Sequence, residues 1–361
     1  MANTYSNFHD PLGLVMRMLR SRDRAAWSAL RRAALSFLLL PLDLAWEALE
    51  QKRLREAEPS NLPIILIVGA PRSGTTLLYQ TLARFLPVSY LQNFTALFPR
   101  SPLIASAKLG PRLQTRAADY HSYYGNTAGW TAPNDGFHVW NRWLGTDRYR
   151  VAQQLSPAAQ QDMQRFFNAW LSSFQKPLLN KNNRNTACVA LLASALRNVY
   201  FIEARREPAF VVQSLLQARE HIQGSKAIGW GLASAPQTRG AQNLDYVSEV
   251  CEQVFRIEQR LQSDKQRVAP ERFLSIAYED FCREPCQTAR HVAQTFLRLD
   301  LDENKMRREL KPFHTTNKIR LAREEFQAIR RRLDELYEKP AAPALGNEAY
   351  AEASRYDEAM T

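Results

Sequence analysis

Residues 63–76 read Pro-Ile-Ile-Leu-Ile-Val-Gly-Ala-Pro-Arg-Ser-Gly-Thr-Thr. The run 63–68 is apolar without a break and closes on Gly69, which predicts a short strand buried on both faces. The stretch 74–86, Gly-Thr-Thr-Leu-Leu-Tyr-Gln-Thr-Leu-Ala-Arg-Phe-Leu, reads as the helix that follows. Backbone N–H groups at such a strand-to-helix turn, backed by a helix N-terminus, bind phosphate oxygens. The spacing is that of G-x-x-x-x-G-K-[ST], but Thr75 stands where the lysine belongs and a cation, Arg72, appears earlier in the loop. An ATP or GTP enzyme needs that lysine on the terminal phosphates and a hydroxyl on magnesium. The loop is therefore built for a phosphate ester handled without a metal.

Two further apolar runs repeat the pattern. Residues 199–204 predict a second buried strand, followed by a helix from Pro208, a natural first-turn residue. Residues 272–277 predict a third, with a helix over 285–299 opening on Pro285. Leu244, Val247, Cys251, Val254 and Leu261 mark a long amphipathic helix between them. The expected fold class is α/β: a P-loop-like parallel sheet flanked by helices, with an added N-terminal helical segment. The expected organisation is a helical extension over 1–58, a catalytic domain over 60–338 and an acidic tail over 339–361.

Composition bounds the rest. The 361 residues are 45% hydrophobic and 23% charged, which excludes disordered, collagen-like and multi-span membrane chains. Four cysteines, Cys188, Cys251, Cys282 and Cys286, are too few for a disulfide scaffold and have no zinc-finger spacing, so core packing in a reducing compartment is expected. A cytoplasmic protein follows, with membrane association left open. Residues 33–46, AALSFLLLPLDLAW, are the most apolar stretch, but Pro41 and Asp43 interrupt it short of the roughly 20 residues a spanning helix needs. Leu35, Leu38, Leu39, Leu42 and Trp46 keep helical spacing. Two readings stay open there: a helix packed on the catalytic domain, or a peripheral membrane contact. The net charge is +12, and residues 304–332 carry ten Lys or Arg against three Glu. Such a patch suits nucleic acid, an anionic membrane or an anionic cofactor. Phe326, Ile329, Leu333, Leu336 and Tyr337 place part of it on the solvent face of a helix. No nucleic-acid-binding motif accompanies it, so nucleic acid is not expected as a partner.

A second phosphate signal follows the 199–204 strand. In Arg206-Glu-Pro-Ala-Phe-Val-Val-Gln-Ser214, Arg206 at the strand end and Ser214 on the helix could clamp another phosphate. The PRSGTT loop and this R-x-P-x-x-x-x-x-S segment resemble the 5′-phosphosulfate loop and 3′-phosphate motif of sulfotransferases that use 3′-phosphoadenosine-5′-phosphosulfate (PAPS). Ala277-Tyr-Glu-Asp-Phe281, followed by Glu284-Pro285, is similar to a strand-end element of the same family. The resemblance covers roughly 60–338 and is nearest to the bacterial, carbohydrate and tyrosylprotein-like branch. It implies a PAPS-dependent enzyme, with PAP as product and no metal, that sulfates an acceptor hydroxyl by in-line displacement with a general base.

On that resemblance Arg72 is the loop cation at the transferring group, and Ser73, Gly74, Thr75 and Thr76 hold the 5′-phosphate. Lys181, in Leu179-Asn-Lys-Asn-Asn183, resembles the lysine beside the sulfuryl group. Thr315 and Thr316, with Lys318 in the same His314-Thr-Thr-Asn-Lys318 run, resemble a C-terminal cofactor element. The branch's Pro-His-Glu-like segment corresponds to Pro133-Asn-Asp-Gly-Phe-His-Val-Trp140, which puts Asp135 in the position of the base; His138 and then His121 are the next candidates. A helix cap is the other reading of Asp135. Tyr120, Tyr123, Tyr124, Trp130, Phe137, Trp140, Trp143 and Tyr149 crowd this region, suiting a sugar, lipid or small-molecule acceptor or else a packed core. The oligomeric state is not readable. The alternatives carried forward are a P-loop-like kinase or NTPase and a sulfotransferase-fold binding protein without catalysis.

Overall fold

The computed structural model describes residues 8–113, 119–147, 152–232 and 246–338. The acidic tail over 339–361, Tyr149 and Leu244 lie outside the described residues. Three helices come first: α1 (Pro11–Arg20), α2 (Arg24–Leu38) and α3 (Leu40–Arg55). Then follow β1 (Ile64–Val68), α4 (Thr75–Phe85), α5 (Pro102–Leu109), α6 (Phe137–Leu144), α7 (Pro157–Phe174), β2 (Leu178–Lys181) and α8 (Val189–Ala195). The remainder is β3 (Val199–Arg205), α9 (Pro208–Gln223), α10 (Tyr246–Lys265), β4 (Phe273–Ala277), α11 (Tyr278–Arg283), α12 (Pro285–Val292), α13 (Glu303–Glu309) and α14 (Arg323–Glu338).

The sheet is parallel throughout, in the order β2-β1-β3-β4. Every residue of β1 is buried because β1 is central, with Ile64 opposite both Leu178 and Val199. Its side chains alternate between layers. Leu66 and Val68 join a core with Trp140, Phe167 and Trp170 of α6 and α7, while Ile65 and Ile67 pack with Leu78 and Leu82 of α4 and Val292 of α12. A third helical layer packs Leu215 of α9 against Val250 and Val254 of α10 and Ile329 of α14. All four cysteines are buried and none is in a disulfide. The 285–299 helix is regular to Val292 and widens into a π-helical turn over Ala293–Leu297.

Strand β2 is absent from the sequence reading, since Leu-Leu-Asn-Lys is short and half polar. Its polar residues stay buried because they are partnered: the Asn180 carbonyl oxygen accepts the Trp140 indole N–H at 2.7 Å, and its amide donates to the Asn134 carbonyl at 3.1 Å. The stripe expected over residues 35–46 is not one helix. The chain turns at Leu39, with Pro41 in the first turn of α3. Leu35, Leu39 and Trp46 pack toward Phe94 and Phe98, whereas Leu38 and Leu42 face outward.

Helix α3 also buries carboxylates. Asp43 accepts N–H groups from Arg100 and Ser101, and Glu50 accepts those of Leu103 and Ile104, so both satisfy the first turn of α5. Burial raises the Glu50 carboxyl to about 7, with Arg142 pulling it down and Asp43 pushing it up. A folded-state pKa above the unfolded one favours the protonated native form, so stability from this group is present below about 4.5 and lost as pH rises through about 7. Melting temperatures across that window should fall with pH more steeply in the parent than in Glu50→Gln.

Candidate active site

The chain leaves β1 for β2 on one side and returns to β3 on the other, which opens a crevice at the C-terminal edge of the sheet. A cleft of about 180 Å³ lies there. Each strand contributes to its lining: Arg72, Thr75 and Thr76 after β1, Lys181 ending β2, Arg206 after β3 and Tyr278 after β4.

The β1–α4 loop is shaped by backbone that few residues tolerate. Positive φ angles occur at Gly69 (140°), Arg72 (77°) and Gly74 (93°). A Cβ on Gly74 would stand 2.4 Å from the Tyr278 ring, so the loop and the end of β4 touch there. Gly74→Ala should displace that ring, lower the melting temperature and weaken anion binding, which calorimetry can read. The Ser73 hydroxyl is buried in the loop without a partner. Thr75 and Thr76, in the first turn of α4, where N–H groups have no acceptor inside the helix, line the cleft.

Two arginines converge on the loop. Arg72 donates through Nε to the Ser214 hydroxyl on α9 at 2.9 Å and lies over the Tyr124 ring at 5.0 Å. Ser214 therefore stands behind Arg72 rather than lining the cleft. Arg206 donates to the Asn317 side-chain oxygen at 2.8 Å, the Arg72 carbonyl at 2.9 Å and the Thr316 hydroxyl at 3.1 Å, and lies over the Tyr278 ring at 4.9 Å. The C-terminal segment is thus tied to β3 through Thr316 and Asn317. Thr315 and Lys318 do not line the cleft, and Lys318 uses its carbonyl to accept the Gln213 amide at 2.9 Å. Burial lowers both arginine pKa values, and each guanidinium opposes the charge of a cation nearby, yet both remain charged. With Lys181 they make a cationic cleft fit for a multiply charged anion.

Across the cleft, Lys181 Nζ meets Asp135 Oδ2 at 2.8 Å, with side chains only 3% and 14% exposed. The Asp135 carbonyl accepts the Asn182 amide at 2.9 Å, which fixes the residue's backbone from the end of β2. Gly125 sits beside the pair, where a Cβ would be 3.9 Å from Asp135 and 4.0 Å from Lys181. Burial raises the Asp135 carboxyl above the usual aspartate value, and the Lys181 charge pulls back against that rise. The carboxylate is not a helix cap: Gly136 occupies the N-cap position of α6 and the Asn134 side chain accepts the Gly136 N–H. His138 is turned into the protein, against the Thr95 hydroxyl at 3.3 Å. Burial, with Arg142 nearby, takes its pKa down to about 3. His121 binds Asp23 at 2.7 Å at the surface. The structure brings neither histidine to the cleft.

The aromatic run divides by position. Tyr120 and Tyr124 line the cleft, Trp140 and Trp143 pack with Phe166 and Phe167, and Tyr123 packs on Met18, Ala25 and Ala26 of the N-terminal helices. Those helices brace the cleft wall, since Arg32 also donates to the Thr127 carbonyl at 3.3 Å. Ser122, Gly125, Asn183, Trp230 and Tyr278 line the cleft without having been candidates. Only Tyr278 had a signal, its place at a strand end. Among the described residues no group of three His, Cys, Asp or Glu side chains could hold a metal ion.

A model of the sulfotransferase family matches residues 63–303. A sulfotransferase from Mycobacterium avium is similar in structure, at 15% identity and a TM-score of 0.53 over 82% of each chain. One from Mycobacterium tuberculosis H37Rv is 14% identical, with a TM-score of 0.54 over 91% of this chain and 92% of that one. At such identities the likeness is one of fold. No curated protein matches the chain.

Proposed function

Because the chain belongs to the sulfotransferase family, we propose that it moves a sulfuryl group from PAPS to the hydroxyl of a carbohydrate, lipid or small molecule. The observation that carries this reading is the meeting of Arg72, Arg206 and Lys181 at one cleft, with Asp135, itself not a lining residue, held against Lys181 at 2.8 Å. The residues fit the donor. The buried Ser73 hydroxyl has no partner, and a phosphate oxygen would supply one. Ser73, Thr75, Thr76 and the N–H groups opening α4 would hold the 5′-phosphate, with Arg206 at the 3′-phosphate. Ser214 already accepts from Arg72, so its part is to orient that guanidinium.

When bound, PAPS supplies a sulfuryl group on a phosphate leaving group. Asp135 would accept the proton of the acceptor hydroxyl, and its raised pKa suits a base more than an ordinary aspartate would. Lys181 holds the carboxylate in place and adds positive charge at the reacting edge. Arg72 would supply positive charge at the phosphate leaving group of the donor. Its guanidinium is already oriented by Ser214 and Tyr124, so little reorganisation is needed during transfer. Tyr120 would offer an aromatic face to the acceptor, whereas the Tyr124 ring is already covered by Arg72 and His221.

Calorimetric titration with adenosine 3′,5′-bisphosphate and with ADP, each with and without magnesium, tests the proposal. Tight, magnesium-independent binding of the bisphosphate with poor binding of ADP is expected. Magnesium-dependent ADP binding would overturn it in favour of a kinase-like protein. Binding of the bisphosphate without sulfation of any acceptor class would leave a binding protein.

A further inference from the structure

Eleven of the sixteen large apolar side chains exposed among the described residues lie between Leu12 and Leu49. On α1 they are Leu12, Val15, Met16 and Leu19, one helical stripe. On α2, Trp27 and Leu38 share a face with Arg24 and Arg31, and Phe37 stands beside them. Phe37 and Leu38 are 71% and 74% exposed, and the turn at Leu39 leads directly into exposed Leu40, Leu42 and Leu44. Apolar surface on this scale marks an interaction site rather than scattered exposure.

Helix α3 is inside out for a helix in water. Its inward face carries Asp43 and Glu50, both 0% exposed, and its outward face carries Leu42, Leu44 and Leu49. The inward carboxylates are used, because they satisfy the N-terminus of α5. The outward leucines have no such account within the chain. The charge pattern names what covers them. Every carboxylate of α3 is either buried or, for Glu47, engaged with Arg100 at 3.0 Å. Along α2 and α3 the exposed charges are therefore mostly cations: Arg24 and Arg31 before the turn, and Lys52, Arg53 and Arg55 after it, with Glu56 beyond α3 paired to Lys52 at 3.8 Å.

We propose that α1–α3 form an interfacial platform that seats the protein on an anionic lipid bilayer, with the Phe37–Leu44 turn entering the headgroup boundary. Arginine stems can lie along the apolar surface while their guanidinium groups reach lipid phosphates. Among the described residues no helix is long and apolar enough to cross a membrane, so the contact is one of lying on the surface. A second copy fits less well, since a two-fold contact would set the same cations against themselves. The surface stands apart from the sulfuryl chemistry and does not depend on it.

Sedimentation of the full chain with vesicles tests this. Binding is expected to phosphatidylcholine vesicles containing phosphatidylglycerol, weak with phosphatidylcholine alone and weakened by added salt. Phe37→Ser with Leu38→Ser should lower the partition coefficient by about tenfold or more, from the apolar area withdrawn. Arg24→Glu with Arg31→Glu should abolish the preference for anionic lipid. Both variants change exposed side chains, so an unchanged melting temperature is the accompanying control. No vesicle binding, or binding that neither variant alters, overturns the proposal. A dimer in sedimentation velocity that Phe37→Ser with Leu38→Ser dissolves, without vesicle binding, assigns the face to a second copy and overturns it equally.

Discussion

Asp135→Asn should lower kcat for sulfation by about 10²–10⁴-fold, the usual worth of a positioned general base, while the affinity for adenosine 3′,5′-bisphosphate stays close to that of the parent. The amide keeps the size of the carboxyl and an oxygen facing Lys181, but it cannot take a proton. A structural effect must be separated from the chemical one. Lys181 is 2% exposed, and Asp135 is its ion-pair partner at 2.8 Å. Removing one member of a buried pair costs about 3–5 kcal/mol where water cannot enter, and less here, where Lys181 lines an open cleft. A melting curve measures that loss, and bisphosphate binding shows whether the cleft survives. The pH profile gives a further distinction. A base must be ionised, so activity in the parent should climb with pH through the raised Asp135 pKa, and this limb should vanish in the variant. Activity that survives the substitution intact would remove Asp135 as the base.

Arg206→Ala should weaken binding of adenosine 3′,5′-bisphosphate by about 10²-fold, the worth of one or two charge-assisted hydrogen bonds to a phosphate. The guanidinium is held by Asn317, Thr316 and the Arg72 carbonyl and rests on the Tyr278 ring. Its orientation is set before any ligand arrives, so little conformational entropy is lost on binding. Adenosine 5′-phosphate is the control, since it lacks the 3′-phosphate. Its affinity should change little, and the parent's preference for the bisphosphate should collapse in the variant. Arg206→Lys should rescue poorly, because a single ammonium cannot replace three donors aimed by a planar fork. Equal affinity in parent and variant would detach Arg206 from the 3′-phosphate. The same substitution cuts the tie between β3 and the segment around Thr316, so a modest fall in melting temperature accompanies it.

What the primary structure made legible was whatever depends on neighbours along the chain. The runs at 63–68, 199–204 and 272–277 emerge as β1, β3 and β4; the continuous branched run of β1 suits a strand covered on both sides, while β4, at the sheet edge, keeps only Ile276 buried. The Gly-rich turn was readable for the same reason: Gly69 and Gly74 adopt positive φ, and the residue types that permit this are few. Strand β2 was not readable. Asn180 and Lys181 are polar, and they are buried only because Trp140, Asn134 and Asp135 arrive from a segment forty or more residues away. The apolar stretch 33–46 also gave no single answer, since its pattern is continuous across Leu39 while the helix is not.

By itself the sequence determined three of the four strands, the glycine-bearing turn after β1 and the residue types able to meet a charged donor, all of which rest on local backbone preference and hydrophobic periodicity. Only the tertiary structure decided which of those residues meet. It paired Asp135 with Lys181, turned His138 inward against Thr95, set Ser214 behind Arg72 and split the N-terminal apolar run into an inward and an outward face. The reason is physical: burial, charge pairing and the shift of a pKa are properties of through-space neighbours, and the order of residues along the chain does not contain those distances until the sheet has brought its strand ends together.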